Sequence, residues 1–239
     1  NEIYLLEVNP RASRTAPFVS KSIGIQLAKV GALVMAGKKL KSLKINREVV
    51  PKYFAVKEAV LPFSKFPEVD VLLGPEMKST GEVMGIGNSF GEAYFKAQRA
   101  AGVILPKTGN VFISVRDKDK EPVCDVAEEL IKIGFNLFAT RGTQVHLEKK
   151  GIKCERINKV KQGHPHIVDM IKNGNVHLII NTTEGALSIK DSFSIRKEAN
   201  NHNVCLTTTI SGAKAFCKAI LFIDNFDALD IQSRHSSIN

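Results

Sequence analysis

The sequence predicts an α/β protein in two parts: a leading α+β portion, then a portion built on a five-stranded parallel sheet with helices on both faces. Three observations point there. From Asn110 onward, strand-like and helix-like runs alternate with short connections, the pattern of successive βα units. Ahead of Asn110 no such alternation holds, and residues 102–109, with Pro106 and two glycines, separate the two patterns. At 239 residues with 44% hydrophobic side chains, the chain can fill one large core or two small ones. The boundaries read this way are 1–105, 106–223 and a tail, 224–239, that lacks periodicity and is expected to be loosely held.

The apolar run Ile3-Tyr4-Leu5-Leu6 reads as a strand that ends at Pro10, which cannot donate to a sheet ladder. Side chains alternate along a strand, so Glu7 and Asn9 share a face, and Arg11 and Arg14 follow with forked donors suited to phosphate oxygens. A carboxylate, an amide oxygen and two guanidinium groups suit Mg²⁺ carrying nucleotide phosphates; the competing reading is a strand end with solvated charges. A strand this early in the sequence predicts that its partners belong to chain beyond it, as in a truncated protein.

Apolar positions Ile23, Leu27, Val30, Leu33 and Val34 predict one helix over 20–36, stopped near Gly37. Residues 54–61 read as a strand ended by Pro62, in which Lys57 and Glu58 require either a ligand or an edge position. The glycine-dense stretch 73–87 implies turns and close backbone approach. Its Gly85-Ile86-Gly87 with Gly91 misses the dinucleotide-binding spacing by one residue. Asn88 or Ser89 caps a helix over 90–101.

The alternating region yields strands at 111–115, 136–139, 153–157, 176–180 and 204–207, and helices at 123–133, 143–150, 165–172, 189–200 and 213–222. In open α/β sheets ligands bind at the carboxyl ends of the strands. Those ends carry Ser114-Val115-Arg116 with Lys120, Thr140-Arg141-Gly142-Thr143, Asn158-Lys159, Asn181-Thr182-Thr183 and Thr207-Thr208-Thr209. Each Ser, Thr or Asn alone is an ordinary helix cap; together, beside Lys120 and Lys159, they form a rim suited to a phosphate and a ribose.

Other classes are disfavoured. The net charge of +10 would attract polyanions, yet tryptophan is absent, tyrosines number three and no basic stretch is interleaved with aromatics, so nucleic acid is not expected. No apolar run reaches membrane-spanning length and no leader pattern is present, so a soluble cytoplasmic chain is expected. Cys124, Cys154, Cys205 and Cys217 lack metal or redox spacing and read as reduced buried thiols. His164 and His166 flank Pro165 with no third ligand spaced to help. Ser211-Gly212-Ala213-Lys214 and Lys107-Thr108-Gly109 imitate acyl-transfer motifs in the wrong order. Catalytic equipment is thin: among the strand ends Glu184 is the one carboxylate, and no nucleophile is paired to a histidine.

Residues 7–21, Val56-Lys57-Glu58 and 73–82 resemble the second ATP-grasp half of the carbamoyl phosphate synthetase large-subunit family, and residues 110–222 resemble its C-terminal methylglyoxal-synthase-like regulatory domain, a Rossmann-like fold. The resemblance implies a glutamine-dependent, ATP-using ligase that makes carbamoyl phosphate for pyrimidine and arginine biosynthesis, of which this piece alone would be inactive. By it, Glu7 and Asn9 would hold Mg²⁺ or Mn²⁺ on ATP, while Arg11 and Arg14 would steady the phosphate transferred to carbamate derived from bicarbonate. Ser114, Lys120, Thr140, Thr143, Lys159, Asn181, Thr182, Thr183 and Ser192 would bind the phosphate and ribose of UMP or IMP. Glu58 and Thr208 match positions near an ornithine site, although Thr207 stands where an acidic residue is typical; Ala186 stands where some members have arginine. Implied protein partners are a small glutaminase subunit and further large-subunit copies. Alternatives are a stand-alone nucleotide-monophosphate sensor and a methylglyoxal-synthase-type lyase.

Overall fold

The structure, a computed structural model, describes residues 2–5, 7–45, 48–66, 69–74, 76–225 and 227–236. Leu6 of the predicted opening strand, Pro75 of the glycine-dense stretch and 237–239 of the predicted tail lie outside them. The chain forms two compact units, Asn1–Ala55 with Asp227–Asn239, and Val56–Phe226.

In the first unit the predicted opening strand does not form among the described residues. A strand persists by pairing its N–H and C=O groups with a neighbour, and residues 3–5 and 7–10 have no such neighbour among the described residues. Their apolar side chains Ile3, Tyr4, Leu5 and Val8 are exposed. The helix expected over 20–36 is instead two, α1 (Thr15–Ile23) and α2 (Leu27–Met35). Gly24, at φ 70°, turns left-handed after α1, and Ser20 Oγ donates to the Ile25 carbonyl and accepts from Leu27 N, so the break is held in place. The expected loose tail contains a short helix, Ile231–Ser236. Its His235 Nε2 meets the Lys21 carbonyl at 2.7 Å, and its Arg234 lies over the Tyr53 ring. No single described helix is long and apolar enough to cross a membrane.

The second unit takes in β1 (Phe54–Val60) from Val56 onward, paired with β2 (Gly81–Gly87), and continues into α3 (Phe90–Ala100). Ser89 Oγ caps α3 by accepting from Glu92 N. The near-miss glycine motif serves packing: a Cβ at Gly85 would sit 2.0 Å from the Ala93 carbonyl oxygen, and one at Gly87 would sit 2.6 Å from Ala93 N. Glycine there lets α3 lie directly on β2.

Five parallel strands follow: β3 (Gly109–Ser114), β4 (Phe135–Ala139), β5 (Glu155–Arg156), β6 (Leu178–Asn181) and β7 (Cys205–Thr207). Between and after them run α4 (Pro122–Ile133), α5 (Arg141–Lys149), α6 (Ile167–Lys172), α7 (Ala186–Asn201) and α8 (Ile210–Ile220). The predicted alternation is therefore the fold. β5, expected over 153–157, keeps two residues because it is an edge strand paired with β4 alone. Along β3, Val111 and Ile113 enter one core with residues of α4 and α8, while Phe112 enters the opposite core with residues of α6 and α7, so the sheet is buried on both faces.

Residues 102–109, expected to separate domains, lie inside this unit. The physical reason is the seat of α3 on α8: Gly91 admits the Lys218 backbone where a Cβ would sit 2.5 Å from its carbonyl oxygen, and Tyr94 packs on Phe216 with ring centroids 6.1 Å apart. The four cysteines are free and buried. Gly85→Ala is expected to lower unfolding free energy by at least about 2 kcal/mol in a denaturant titration, because the clash is with backbone. Gly74→Ala, which meets nothing within 4 Å, should change it by less than about 0.5 kcal/mol.

Candidate functional site

The strand order β5-β4-β3-β6-β7 means that the chain steps outward from β3 through β4 and β5, then returns to place β6 on the other side of β3. Such a reversal parts the connecting loops and leaves a crevice at the carboxyl ends of the two strands. Ser114 and Asn181 face each other across that point in register. A cleft of about 470 Å³ opens there.

Of the residues predicted as a phosphate and ribose rim, Ser114, Thr140, Thr143 and Thr182 line the cleft, as do Lys120, Lys159 and Ser192. Asn181 lies beneath the lining, 1% exposed, with Nδ2 donating to the Ser114 carbonyl at 3.3 Å and reaching Ser192 Oγ at 3.5 Å. Thr183 is half-buried outside the lining. The hydroxyls are fixed by neighbours: Ser114 Oγ is 3.2 Å from Thr140 Oγ1, Val115 N donates to Thr143 Oγ1 at 3.3 Å, and Arg116 N donates to Thr182 Oγ1 at 3.1 Å. Thr143 and Thr182 accept backbone hydrogen bonds, which leaves each hydroxyl hydrogen able to donate.

Thr140 is the N-cap of α5, so the first-turn N–H groups of Arg141, Gly142 and Thr143 have no acceptor within their own helix. Lys120 Nζ lies against the start of this helix, 3.4 Å from where a Cβ on Gly142 would sit. Lys120 Nζ is 2.7 Å from Asp117, whose carboxyl that hydrogen bond holds below the usual range. At the mouth, Arg116 Nε is 2.6 Å from Asp119 and Lys118 Nζ is 3.0 Å from Glu184. Glu184, the rim carboxylate, is thus engaged by a cation.

Five residues of the site were outside the sequence reading: Asp117, Gln162 and Ser188 in the lining, and beyond it Asp70 and Arg196, which is 0% exposed. Arg196 Nη1 reaches Asn181 Oδ1 at 3.3 Å, and Nε reaches Asp70 Oδ1 at 2.7 Å. Burial alone would raise the Asp70 carboxyl; its bonds to Arg196 and to backbone N–H groups outweigh that and lower it. The signal available for Arg196 was spacing: Ile189, Ser192, Arg196 and Ala199 recur on one helical face, so the arginine falls on the stripe that meets the sheet.

The other predicted residues lie elsewhere. In the first unit Glu7 and Asn9 do converge, with Asn9 Nδ2 donating to Glu7 Oε1 at 3.0 Å, though both are exposed and no strand presents them. Arg11 Nη1 reaches the Ala12 carbonyl and Arg14 is the N-cap of α1. In the second unit Glu58 is half-buried on β1 beside Gln98 and Tyr94, while Lys57 pairs with Glu82 at 3.0 Å. Thr208 follows β7 and is half-buried. His164 and His166 have the third neighbour that spacing did not reveal: Asp169 Oδ2 is 2.6 Å from His164 Nδ1, and Asp169 completes the helix cap with His166.

Fold and cleft define a class, and comparison with known proteins agrees: residues 122–208 match the MGS-like domain family. The chain as a whole is homologous to carbamoyl phosphate synthase large chains. It is 56% identical over 238 residues to that of Pseudomonas putida, 53% over 236 to that of Xanthomonas axonopodis pv. citri and 53% over 237 to that of Ralstonia nicotianae. These alignments cover 99–100% of this chain and 22% of the relatives, so the chain spans about a fifth of their length. Among solved structures, methylglyoxal synthase from Elizabethkingia anophelis aligns with a TM-score of 0.41 and 20% identity, covering 50% of this chain and 83% of that one.

Burial pushes the Glu58 carboxyl up and the Gln98 hydrogen bond only partly offsets it. Its protonated form therefore favours the fold at low pH, and that contribution disappears as pH rises from the ordinary carboxylate range through the raised value. Glu58→Gln has no proton to lose, so its melting temperature relative to the parent chain should rise by about 2–4 °C between pH 4 and pH 7. An unchanged difference across that range would contradict the assignment.

Proposed function

We propose that the cleft at the β3/β6 reversal is an effector site for a nucleoside 5′-monophosphate, UMP or IMP, within the large chain of a glutamine-dependent, ATP-using carbamoyl phosphate synthase. The observation that carries the reading is the concentration of Lys120, Lys159, the fixed hydroxyls of Thr143 and Thr182 and the start of α5 around one cleft. A phosphate monoester needs several N–H and O–H donors on a compact anion, with cations close by, and this set supplies both. The phosphate would replace Asp117 on Lys120, exchanging one anion for another. The wider cleft, bordered by Ser192 and Glu184, leaves room for a ribose whose hydroxyls find acceptors there.

The same reading assigns Glu7 and Asn9 to a hard divalent cation, Mg²⁺ or Mn²⁺, on ATP. The residue types fit: the Asn9 side chain and the Glu7 carboxylate lie side by side, and both carry an oxygen such ions accept, the amide turning its Oδ1 in place of the Nδ2 that now donates to Glu7. The ion would neutralise charge on the transferring phosphoryl group. Arg11 and Arg14 would bind and orient phosphate oxygens as it moves to carbamate. The glutaminase subunit that supplies ammonia and other large-chain copies belong to this proposal. Ornithine, through Glu58 and Thr208, is a weaker part of it because Thr207 offers no charge to an ammonium.

Calorimetric titration of the chain with UMP and IMP tests the effector site. Saturable binding is expected, and Lys120→Ala or Lys159→Ala should each weaken it by about 10- to 100-fold, the range for losing one hydrogen bond to a charged group. The affinity should also fall as salt is raised. Absence of binding by both nucleotides, or an unchanged affinity in the two lysine variants, would overturn the assignment.

A further inference from the structure

We propose that Arg196 is a positioning residue for the cleft, and that its pairing with Asp70 couples the connection between β1 and β2 to ligand binding. The proposal rests on the effector-site reading above. An arginine enters a protein interior only where its donors are met, and Arg196 is 0% exposed. Asp70 takes two of its bonds as a fork, Nε to Oδ1 at 2.7 Å and Nη2 to Oδ2 at 2.5 Å. The Ile189 carbonyl accepts a third at 2.8 Å, and Asn181 Oδ1 a fourth at 3.3 Å.

That fourth bond decides what the cleft presents. An amide has one accepting and one donating end. With the guanidinium holding Oδ1, Nδ2 must point toward the Ser114 carbonyl and Ser192 Oγ. A reversed amide would set donors against donors. Arg196, which does not line the cleft, thereby orients Asn181 beneath it and through Asn181 the hydroxyl of Ser192 in its wall.

Asp70 completes the link. It is 126 residues from Arg196 in sequence, on the connection that runs from β1 to β2, and its Oδ1 also accepts from Leu72 N at 3.2 Å. The fork that immobilises the guanidinium therefore also fixes the local turn of that connection. Binding at Ser192 and the Ser114 end of β3 would tighten the Asn181–Arg196–Asp70 chain, and by reciprocity a change at Asp70 would alter binding in the cleft. A group at the cleft and a distant connection then share one equilibrium.

Titration with UMP as the probe tests this on the chain and three variants. Asp70→Asn, which keeps the shape and loses the charge, is expected to weaken UMP affinity about tenfold although Asp70 lies outside the cleft lining. Asn181→Ala should weaken it as well, and in the double variant Asp70→Asn should add little, because its effect passes through Asn181. Asp125→Asn, which breaks only an exposed pair with Lys214, should leave affinity unchanged. Additive losses in the cycle would assign Asp70 a merely structural role and overturn the proposal, as would an affinity within twofold of the parent in Asp70→Asn. Should that variant not fold, hydrogen exchange of the parent chain decides: UMP is expected to slow exchange of the Leu72 amide, and an unchanged rate would overturn the proposal. A parent chain that binds no UMP would instead overturn the effector-site reading, and this role with it.

Discussion

The cleft exists because β3 and β6 are neighbours that the chain reaches from opposite directions, and it stays open in a usable form because Ser114 and Asn181 are locked together at their ends. Parallel pairing brings the two residues into register, but a ladder alone leaves the last side chains free to choose rotamers. The Asn181 amide removes that freedom by bonding the Ser114 carbonyl, and the buried Arg196 fixes which way the amide faces. From that lock the remaining groups follow in order. Ser114 Oγ meets Thr140 at the start of α5, the Val115 amide orients Thr143, and the Arg116 amide orients Thr182. A backbone held by three strands thus preorganises donors that would otherwise cost entropy to gather.

Electrostatics complete the site without trapping bare charge. Lys120, Arg116 and Lys118 each meet a carboxylate at the rim, so the cleft gathers cations while keeping them compensated. The proposed dianion would compete with Asp117, and would gain over a single carboxylate through its greater charge and through the N–H groups of the α5 first turn. The buried Arg196–Asp70 pair follows a different rule. The arginine is fully buried while Asp70 is half-buried, so the guanidinium depends on both partners and their further bonds being present, which makes the pair sensitive to the position of either element.

Much of this was legible in the sequence, and the limits are physical. The βα alternation after Asn110 gives the parallel sheet because a strand covered on both faces and a helix with one apolar stripe leave different periodicities. Residues at strand ends follow from chain direction alone, which is why Ser114, Lys120, Thr140, Thr143, Lys159 and Thr182 gather in one cleft, whereas Ser192, inside α7, came from the family resemblance. Asn181 and Thr183 occupy the same strand end but not the lining; Asn181 shares the Ser114 face of the sheet but is covered by Ser192 and Arg196 of α7. What stayed hidden depends on contacts far apart in sequence. No local pattern announces that Asp70 meets Arg196, that Asp169 stands between two histidines, or that Gly85 and Gly87 serve a helix rather than a nucleotide. Residues 3–5 and 7–10 mark the opposite limit: a strand-like pattern makes no strand without a partner to pair with among the described residues.

The central claim is that one nucleoside monophosphate is held by the ends of β3, β4 and β6 together. Amide hydrogen exchange of the chain with and without UMP tests it most directly. The account predicts slower exchange confined to residues 113–120, 140–144 and 180–183, with the Leu72 amide following through Asp70. Protection confined to β1, β2 and α3, or no protection anywhere at saturating nucleotide, would contradict it.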